Sequence, residues 1–434
     1  MWSSPYIYII LEKDSIKLND IIARGLLPDI NMIEPKHPYH SLLILAVLSN
    51  SYECALILID HGADINQRSG YVGNDSALTY ASRTGSFTNI KFLLNSGFMV
   101  NDDMLYHCID ESIKRRKVGV VLLLIPLMSS VDYHPVNSCR ILYLACSFDF
   151  IEIVKLLLER GAVGVDALGI AAGRGLFDIV IMLFDWVHDA VPSGTLNSAF
   201  LDACANGQVE MVRYLIGKGA ETDCISPYGR TPLMYVIGNK HISSLELLLD
   251  NGVSVHTIMP NGDTALCYAC RCSSAKIVEC LLRRGAAMNS TGDSGNTPLE
   301  HALSKDDMLQ VLLDHGVDLN APFTNGDNAL LKSVRWPRYR RGYLTTVTHL
   351  LNEGADVNLA HTCTGESALM IAVLSQYTEL VELLLERGAD VTAINSRGLT
   401  VLDMLGESSS YVRIAELFYL YIDTNRQSLK AILK

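Results

Sequence analysis

Three cysteines lie close together in the stretch CYACRC, at Cys267, Cys270 and Cys272, and Cys280 follows them shortly afterwards. Zinc sites are commonly built from paired cysteines that are separated by two to four residues, and this spacing occurs here. Accessible thiols can also be oxidised, whereas a buried cysteine packs as a small hydrophobic side chain. The cluster therefore raises three alternatives: metal binding, sensitivity to oxidation and core packing.

A second chemically distinctive stretch is SVRWPRYRRGYLTT, residues 333–346, which is strongly basic in a chain whose formal net charge is -12. Arginine can bind a carboxylate through two parallel hydrogen bonds, and tryptophan and tyrosine act as apolar anchors at protein interfaces. The stretch is therefore either a contact site for an acidic partner or a lengthened surface loop with solvated arginines. Its candidate contact residues are Arg335, Trp336, Arg338, Tyr339, Arg340 and Arg341.

Sequence signatures of catalysis are missing. The chain contains no P-loop, no GxGxxG after a strand, no HExxH and no GxSxG. Its 12 histidines are scattered, and no pair of carboxylates sits at helical spacing in an apolar setting. We therefore predict a non-catalytic protein that uses no cofactor and no metal.

Composition limits the compartment and the class of partner. The 434 residues are 49% hydrophobic, which is typical of a folded chain, and the acidic balance disfavours binding to nucleic acid or to membrane surfaces. The apolar segment at 118–128 is shorter than the roughly 20 residues that a spanning helix needs, so we interpret it as a buried helix rather than a membrane insertion. Without a signal peptide at its start, the chain is expected in a reducing compartment, the cytoplasm and also the nucleus, with free thiols.

Two phrases recur along the chain and define the elements that must position these residues. The first reads apolar-Leu-Leu-x-x-Gly-Ala-Asp-x-Asn, and its glycines at 219, 252, 285, 316, 354 and 388 are spaced by 33, 33, 31, 38 and 34 residues. The second reads Gly, then Thr, Ser or Asn, then Pro or Ala, then Leu, as in GRTPLMYVI at 229–237. Glycine permits a turn, the hydroxyl caps a helix, and proline suits the first helical position. Each period thus predicts a turn followed by two short helices.

Because the period is near 33 residues and many copies stay in phase, the sequence resembles the ankyrin-repeat family over nearly its whole length. The resemblance implies an all-α ankyrin-repeat solenoid of about 13 repeats, in which stacked helix-turn-helix pairs carry β-turn fingers. We expect a divergent N-terminal capping repeat at 1–38, divergent repeats at 39–222, well-matched repeats at 223–396, and a C-terminal capping repeat with a tail helix at 397–434.

The resemblance also bears on the thiols. The position that the family fills with histidine holds other residues here, so we expect those repeats to depend more on apolar packing. Cys270 and Cys280 fall at positions that are buried in the family, so we favour core packing for the cluster over metal binding and oxidation. The residues at the histidine position are Met234, Cys267, Glu300, Leu331 and Met370.

Family resemblance places partners on the turn tips and inner helices of a concave surface. We therefore predict a monomeric scaffold or adaptor that binds a protein partner there. The alternatives are a substrate-recruiting subunit of a ubiquitin ligase, a host-directed effector and, less favoured, an enzyme that uses the repeats for targeting. The basic stretch becomes an enlarged loop between an inner and an outer helix. Candidate contacts at the turn tips are Tyr71, Asn74, Asp75, Tyr228, Arg230, Asn261, Asp263, Asn296, Asn325, Asp327 and Glu366.

The asparagines of the GADVN-type turns have two interpretations. Asparagine and aspartate commonly form local hydrogen bonds in turns, which gives them a structural role. The resemblance additionally implies that such asparagines are targets of asparaginyl hydroxylation in animal cells. The residues concerned are Asn66, Asn289, Asn320 and Asn358.

Overall fold

The structure is a computed structural model that describes residues 5–34, 40–69, 75–131, 140–162, 167–187, 191–260, 262–272, 274–292, 295–335, 343–405 and 411–432. Within these ranges the side chains of Pro5, Glu34, Tyr343 and 424–432 are not described. The chain is an all-α solenoid of short helices taken in pairs, as the resemblance implies. We call the first helix of each pair the inner helix and the second the outer helix.

The chain divides into two compact units, of which the first comprises residues 1–203 and 214–220. Helices Ser193–Ala205 (α13) and Val209–Gly217 (α14) are divided between the two units. The pairs of the first unit are Pro5–Leu11 (α1) with Ser15–Ala23 (α2), Leu42–Leu48 (α3) with Tyr52–Asp60 (α4), Ala77–Thr84 (α5) with Phe87–Asn95 (α6), Asp102–Lys114 (α7) with Val118–Leu124 (α8), Arg140–Ser147 (α9) with Ile151–Glu159 (α10), and Ala167–Gly173 (α11) with Phe177–Trp186 (α12).

The second unit comprises residues 204–213 and 221–434. It ends in the long helix Val412–Ile432 (α25). Its pairs are Pro232–Gly238 (α15) with Ile242–Asp250 (α16), Ala265–Cys272 (α17) with Ala275–Arg283 (α18), Pro298–Ala302 (α19) with Asp306–Asp314 (α20), Ala329–Arg335 (α21) with Tyr343–Asn352 (α22), and Ala368–Leu374 (α23) with Thr378–Glu386 (α24).

The inner helices begin where the recurring phrase places a capping residue. The Thr231 hydroxyl accepts a hydrogen bond from the Met234 N–H at 3.2 Å, and Pro232 occupies the first turn. At Thr297 the cap is reciprocal, because the Glu300 carboxylate also accepts the Thr297 N–H at 2.8 Å. Glu300 stands at the family's histidine position, so this repeat keeps a polar group there, whereas Met234 is buried as expected.

Each inner helix of the second unit follows a hairpin turn, which we call the finger. The Ser226 N–H donates to the Arg230 carbonyl at 2.8 Å, and the Met259 N–H donates to the Asp263 carbonyl at 2.9 Å in the next finger. Gly229 closes the first of these turns with a φ of 73°, a conformation that glycine adopts without strain. The fingers confirm the predicted turn elements. In the first unit, short strands at Ile33–Glu34 (β1) and His40–Ser41 (β2) pair antiparallel, with Ile33 opposite Ser41.

The core of each unit lies between the inner and outer helices and is aliphatic. The apolar segment at 118–128 forms α8 and a 3₁₀ turn at Ile125–Leu127, and Val120, Val121 and Leu124 are buried, which confirms the prediction of a buried helix. Among the described residues, the helices are all too short or too polar to span a bilayer.

The C-terminal region differs from the expected pattern of an inner helix, an outer helix and a short extra helix. Only a 3₁₀ turn at Leu402–Met404 stands where the inner helix was expected. The Asp403 carboxylate accepts the Thr400 N–H at 2.8 Å and so holds this turn tight. The tail then forms the single helix α25, because no glycine or proline interrupts 412–432.

Candidate functional site

Three inner helices carry the same ion pair, between an aspartate at the base of the finger and an arginine eight residues later. We call this pair a clasp. The distances are 2.6 Å from Arg83 Nη1 to Asp75 Oδ2 and 2.7 Å from Arg271 Nη2 to Asp263 Oδ2. In the third clasp, Arg335 Nε lies 2.7 Å from Asp327 Oδ1. The clasps share the sequence pattern Asp-x-Ala-Leu-x-x-x-x-Arg at 75–83, 263–271 and 327–335. This repeated pattern is the sequence signal from which the ion pairs could have been predicted.

The clasps change the roles expected for several candidate contacts. Asp263 and Asp327 are buried ion-pair partners, so their carboxylates hold the finger to its helix instead of facing a partner. Arg335 is the last residue of α21 and not part of the enlarged loop, and it also pairs with Glu366 of the next repeat at 3.4 Å. The assignment of Arg335 to the loop was therefore wrong, because the buried Asp327 carboxylate draws its side chain back along the helix.

The other candidate contacts at the fingers lie in different environments. Tyr228 stands at the tip of its finger and is 87% exposed. Arg230 occupies the finger position that Asp263 fills in the next repeat, is exposed, and lies over the Tyr235 ring at 5.7 Å. Asn325 is held within its finger, since its Nδ2 donates to Asp327 at 3.0 Å. Tyr71, Asn74 and Asn261 lie outside the described residues, as do Trp336, Arg338, Tyr339, Arg340 and Arg341 of the enlarged loop.

Neighbouring inner helices in the second unit place further polar groups beside the clasps. Lys332 of α21 pairs with Glu300 of α19 at 3.0 Å. Lys305 donates to the Cys270 carbonyl at 2.6 Å and so satisfies the end of α17. Burial lowers the pKa of His301, and the nearby cations Arg271 and Lys305 act in the same direction, which favours its neutral form. The inner-helix surface is therefore polar, with most of its acids paired.

The first unit contains a larger ion-pair network that sequence reasoning missed. Arg83 bridges Asp75 and, at 2.9 Å, Glu111 of the next inner helix. His107 Nε2 lies 3.1 Å from the other oxygen of Asp75. Asp110, one residue before Glu111, is in turn held by Lys114 at 2.6 Å and by Arg140 at 3.1 Å. The network thus connects α5, α7 and α9 through carboxylates that are largely buried.

The turn asparagines form a ladder from one repeat to the next. Asn66 accepts the Met99 N–H at 2.9 Å, Asn320 accepts the Asp356 N–H at 2.9 Å, and Asn358 accepts the Asp390 N–H at 2.7 Å. Asn31, which the sequence analysis did not single out, accepts the Asp64 N–H at 2.7 Å in the same way. Asn289 is exposed in the equivalent turn. The predicted local turn bonds are confirmed at the aspartates, which accept the backbone N–H of Asn66, Asn320 and Asn358 two residues later. The asparagine side chains bond instead to the next repeat, and hydroxylation stays a prediction.

The cysteines of the CYACRC stretch lie on α17, and Cys267, Cys270 and the later Cys280 are buried. Core packing is therefore confirmed for these three, and Cys272 is half-buried. Burial raises the pKa of the Cys270 thiol to about 12. Within the described ranges, no group of three or more cysteines, histidines or carboxylates is arranged to hold a metal ion.

Thiol labelling of the native protein should separate these cysteines. Cys363 is exposed and should react quickly with a maleimide, whereas Cys267 and Cys270 should react only after unfolding because the thiolate is suppressed and the sulfur is covered. Peptide mass mapping after a short pulse would report both, and Cys363→Ser serves as the matched control. Fast labelling of Cys270 in the folded protein would contradict its burial.

A family model of ankyrin repeats in three copies matches the chain at several overlapping places. Together the matches cover most of the chain and leave 105–167 between them. The matched residues are 15–104, 168–259, 200–292, 245–323, 276–360 and 338–428.

Two curated proteins resemble parts of the chain. Potassium channel AKT2/3 of Arabidopsis thaliana is 26% identical over 161 residues, which are 37% of this chain and 19% of the channel. Ankyrin repeat and SAM domain-containing protein 6 of Danio rerio is 29% identical over 160 residues, which are 36% of this chain and 17% of that protein. The chain thus spans about a fifth of the length of these relatives.

Solved structures of similar fold include the ankyrin repeat domain of Bcl-3, described as a unique member of the IkappaB protein family. It is 26% identical, with a TM-score of 0.44, over 51% of this chain and 97% of that domain. The human ASB11 ankyrin repeat domain is 23% identical, with a TM-score of 0.41, over 50% of this chain and 96% of that domain.

Proposed function

Because the chain belongs to the ankyrin-repeat family, we propose that it is a non-catalytic scaffold or adaptor that holds a protein partner on its inner-helix surface. Ankyrin repeats generally serve as protein–protein interaction modules, and the fold is typically non-catalytic. The proposal includes a monomeric protein in the cytoplasm or nucleus. Free buried cysteines in the described ranges support a reducing compartment.

One observation carries the proposal: in the second unit Asp263 and Asp327 are buried, whereas exposed arginine and tyrosine side chains lie on the fingers and inner helices. Tyr228 and Arg230 project from one finger, and Arg271 remains half exposed above the buried Asp263. Arginine and tyrosine are enriched among the residues that contribute most to protein binding. Exposed side chains of these types on a repeat surface support partner contacts more than solubility alone.

The same proposal assigns roles along the chain. The regions 1–38 and 397–434 would cap the array, and 39–222 and 223–396 would be its divergent and well-matched parts. The absence of a family match at 105–167 supports the view that sequence divergence is concentrated in the first half. We place partner binding on the well-matched part.

Capture of partners from cells tests the proposal. The full chain, fused to a proximity-labelling enzyme, would be compared with the double variant Tyr228→Ala/Arg230→Ala. The matched control is Arg283→Ala, which removes an exposed arginine from the outer helix α18. We expect the double variant to lose at least one captured protein that the control retains. An identical captured set for all three proteins would contradict binding at this surface.

A two-surface adaptor, including the ubiquitin-ligase alternative, is favoured by the tail helix. On α25 the side chains of Val412, Tyr419 and Leu420 are exposed, although the opposite face packs into the unit through Ile414 and Phe418. Exposed apolar residues on one helix face support a second contact. In a two-surface adaptor, Tyr419→Ala should lose a second set of captured proteins and keep those that the double variant Tyr228→Ala/Arg230→Ala loses.

A further inference from the structure

Two neighbouring inner helices of the second unit place two arginines over two tyrosines. Arg230 lies over Tyr235 at 5.7 Å, and Arg271 lies over Tyr268 at 5.1 Å. Arg230 and Asp263 occupy the same position in two adjacent repeats. Tyr235 follows Arg230 by five residues and Tyr268 follows Asp263 by five, so the two rings occupy equivalent positions. We call these four residues the arginine–tyrosine cleft.

Both guanidinium groups have hydrogen-bonding capacity directed to solvent. Arg271 is 49% exposed, and its pairing uses one nitrogen, Nη2, on an Asp263 carboxylate that is only 6% exposed. Arg230 is exposed and has no ion pair with any described residue. Since a guanidinium carries five N–H donors, most of the donors of both groups are available to a ligand. The cleft therefore presents cations outward and keeps its one acid covered.

Gly238 leaves room for the Tyr268 ring. It occupies the position, eight residues after Arg230, at which other repeats carry the clasp arginine. A Cβ at this position would lie 3.1 Å from the Tyr268 hydroxyl oxygen, so a larger side chain would displace the ring. Arg230 and Arg271 both act on the Tyr268 hydroxyl and oppose the rise in its pKa that burial causes. Both arginines are therefore close enough to Tyr268 to act on it electrostatically.

The spacing of the two cations indicates the ligand. The Arg271 side chain returns to Asp263, so both guanidinium groups lie near the same finger position in adjacent repeats. Adjacent helices lie about 10 Å apart, and a peptide in the polyproline II conformation advances about 3.1 Å per residue with about three residues per turn. Two carboxylates three residues apart on such a chain lie on the same face, about 9 Å from each other, and would therefore meet the two arginines.

We propose that the arginine–tyrosine cleft binds an acidic segment of a protein partner in the polyproline II conformation, with two Asp or Glu side chains three residues apart that meet Arg230 and Arg271. The inference rests on the proposed function and specifies its partner. Arginine and carboxylate form strong paired hydrogen bonds, and the Tyr268 ring, which is only 9% exposed, supports the Arg271 guanidinium that lies over it. The third clasp does not extend the cleft, because Arg335 is neutralised by both Asp327 and Glu366.

Selection from a library of random 12-residue peptides displayed on phage tests this directly with the purified full chain. We expect enrichment of peptides that carry two acidic residues three positions apart. Fluorescence anisotropy of a selected peptide should show a Kd about tenfold higher for Arg230→Gln, since one charge-assisted contact is lost. Arg283→Gln should leave the Kd unchanged. Because Arg230 is in no ion pair with a described residue, its replacement leaves folding intact, and thermal melting checks this for Arg271→Gln.

Three results would overturn the inference: no enriched peptides, enriched peptides without the acidic pair, or binding that Arg230→Gln does not weaken. Tighter binding of a single-stranded oligonucleotide to the same cleft would overturn it as well. The double variant Tyr228→Ala/Arg230→Ala could lose a cellular partner although no acidic peptide is selected. That combination would support the proposed function and contradict only the acidic segment proposed here as its ligand.

Discussion

Replacing Asp75 by alanine is expected to lower the free energy of unfolding by about 3 kcal/mol, because removing one partner of a buried ion pair leaves the other charge only partly compensated. Asp75 contacts Arg83 at 2.6 Å and His107 at 3.1 Å, and it is largely buried. Arg83 would keep its contact with Glu111 at 2.9 Å, but Asp75 would no longer join Arg83 to His107 of α7. Urea unfolding followed by circular dichroism measures the loss.

The matched control is Glu159→Ala on α10, in the same unit. Its ion pair with Lys155 is long, at 4.0 Å, and both side chains are exposed, so its loss should change stability by less than about 1 kcal/mol. Equal effects of the two variants would show that the buried network contributes no more than a surface pair. The variant Asp75→Asn keeps nearly the same side-chain shape without the charge, so its stability separates the contribution of the charge from that of packing.

Replacing Phe418 by alanine is expected to detach α25, at a cost of about 4 kcal/mol to the terminal repeat. Phe418 is 1% exposed, and α25 packs against α24 on one side. Stability in repeat proteins is approximately a sum of repeat and nearest-neighbour terms, so the loss should be confined to the terminal elements. Hydrogen exchange should show faster amide exchange in α25 and α24 and unchanged exchange in α17.

Tyr419 provides a control next to Phe418. It is 76% exposed and points about 100° around the helix axis from Phe418, so Tyr419→Ala should change amide exchange in α25 only slightly. A similar acceleration in both variants would mean that helix propensity, and not burial of Phe418, holds α25. Retention of full protection in Phe418→Ala would contradict the packing of this face.

Local signals made most of the fold predictable. A glycine after most outer helices, a capping side chain before most inner helices and a period near 33 residues are regular sequence features, and each one specifies a turn or a helix end. The sequence also shows that one period is lengthened to 38 residues between Gly316 and Gly354, and the enlarged loop predicted there lies outside the described residues. Burial of Cys270 followed from its place in that frame.

The partners of the charged side chains were harder to predict. Asp263 and Asp327 read as polar turn residues, and their ion pairs depend on arginines eight residues away whose side chains run back along a helix. Glu111 and Arg83 meet across two repeats, which no local pattern specifies. The same holds for the terminal repeat, where a 3₁₀ turn replaces a helix although the preceding Gly-Leu-Thr fits the phrase.

The asparagine ladder has an evolutionary consequence. Its bonds join residues 33 apart at Asn31 and Asn66, 36 apart at Asn320 and 32 apart at Asn358. The bond is thus kept while the number of residues between its ends varies, since the extra residues of the longest repeat lie between its two helices. Insertions and deletions among related genes should therefore accumulate between paired helices and be purged from the turns, where one added residue would shift the asparagine out of reach of the next repeat.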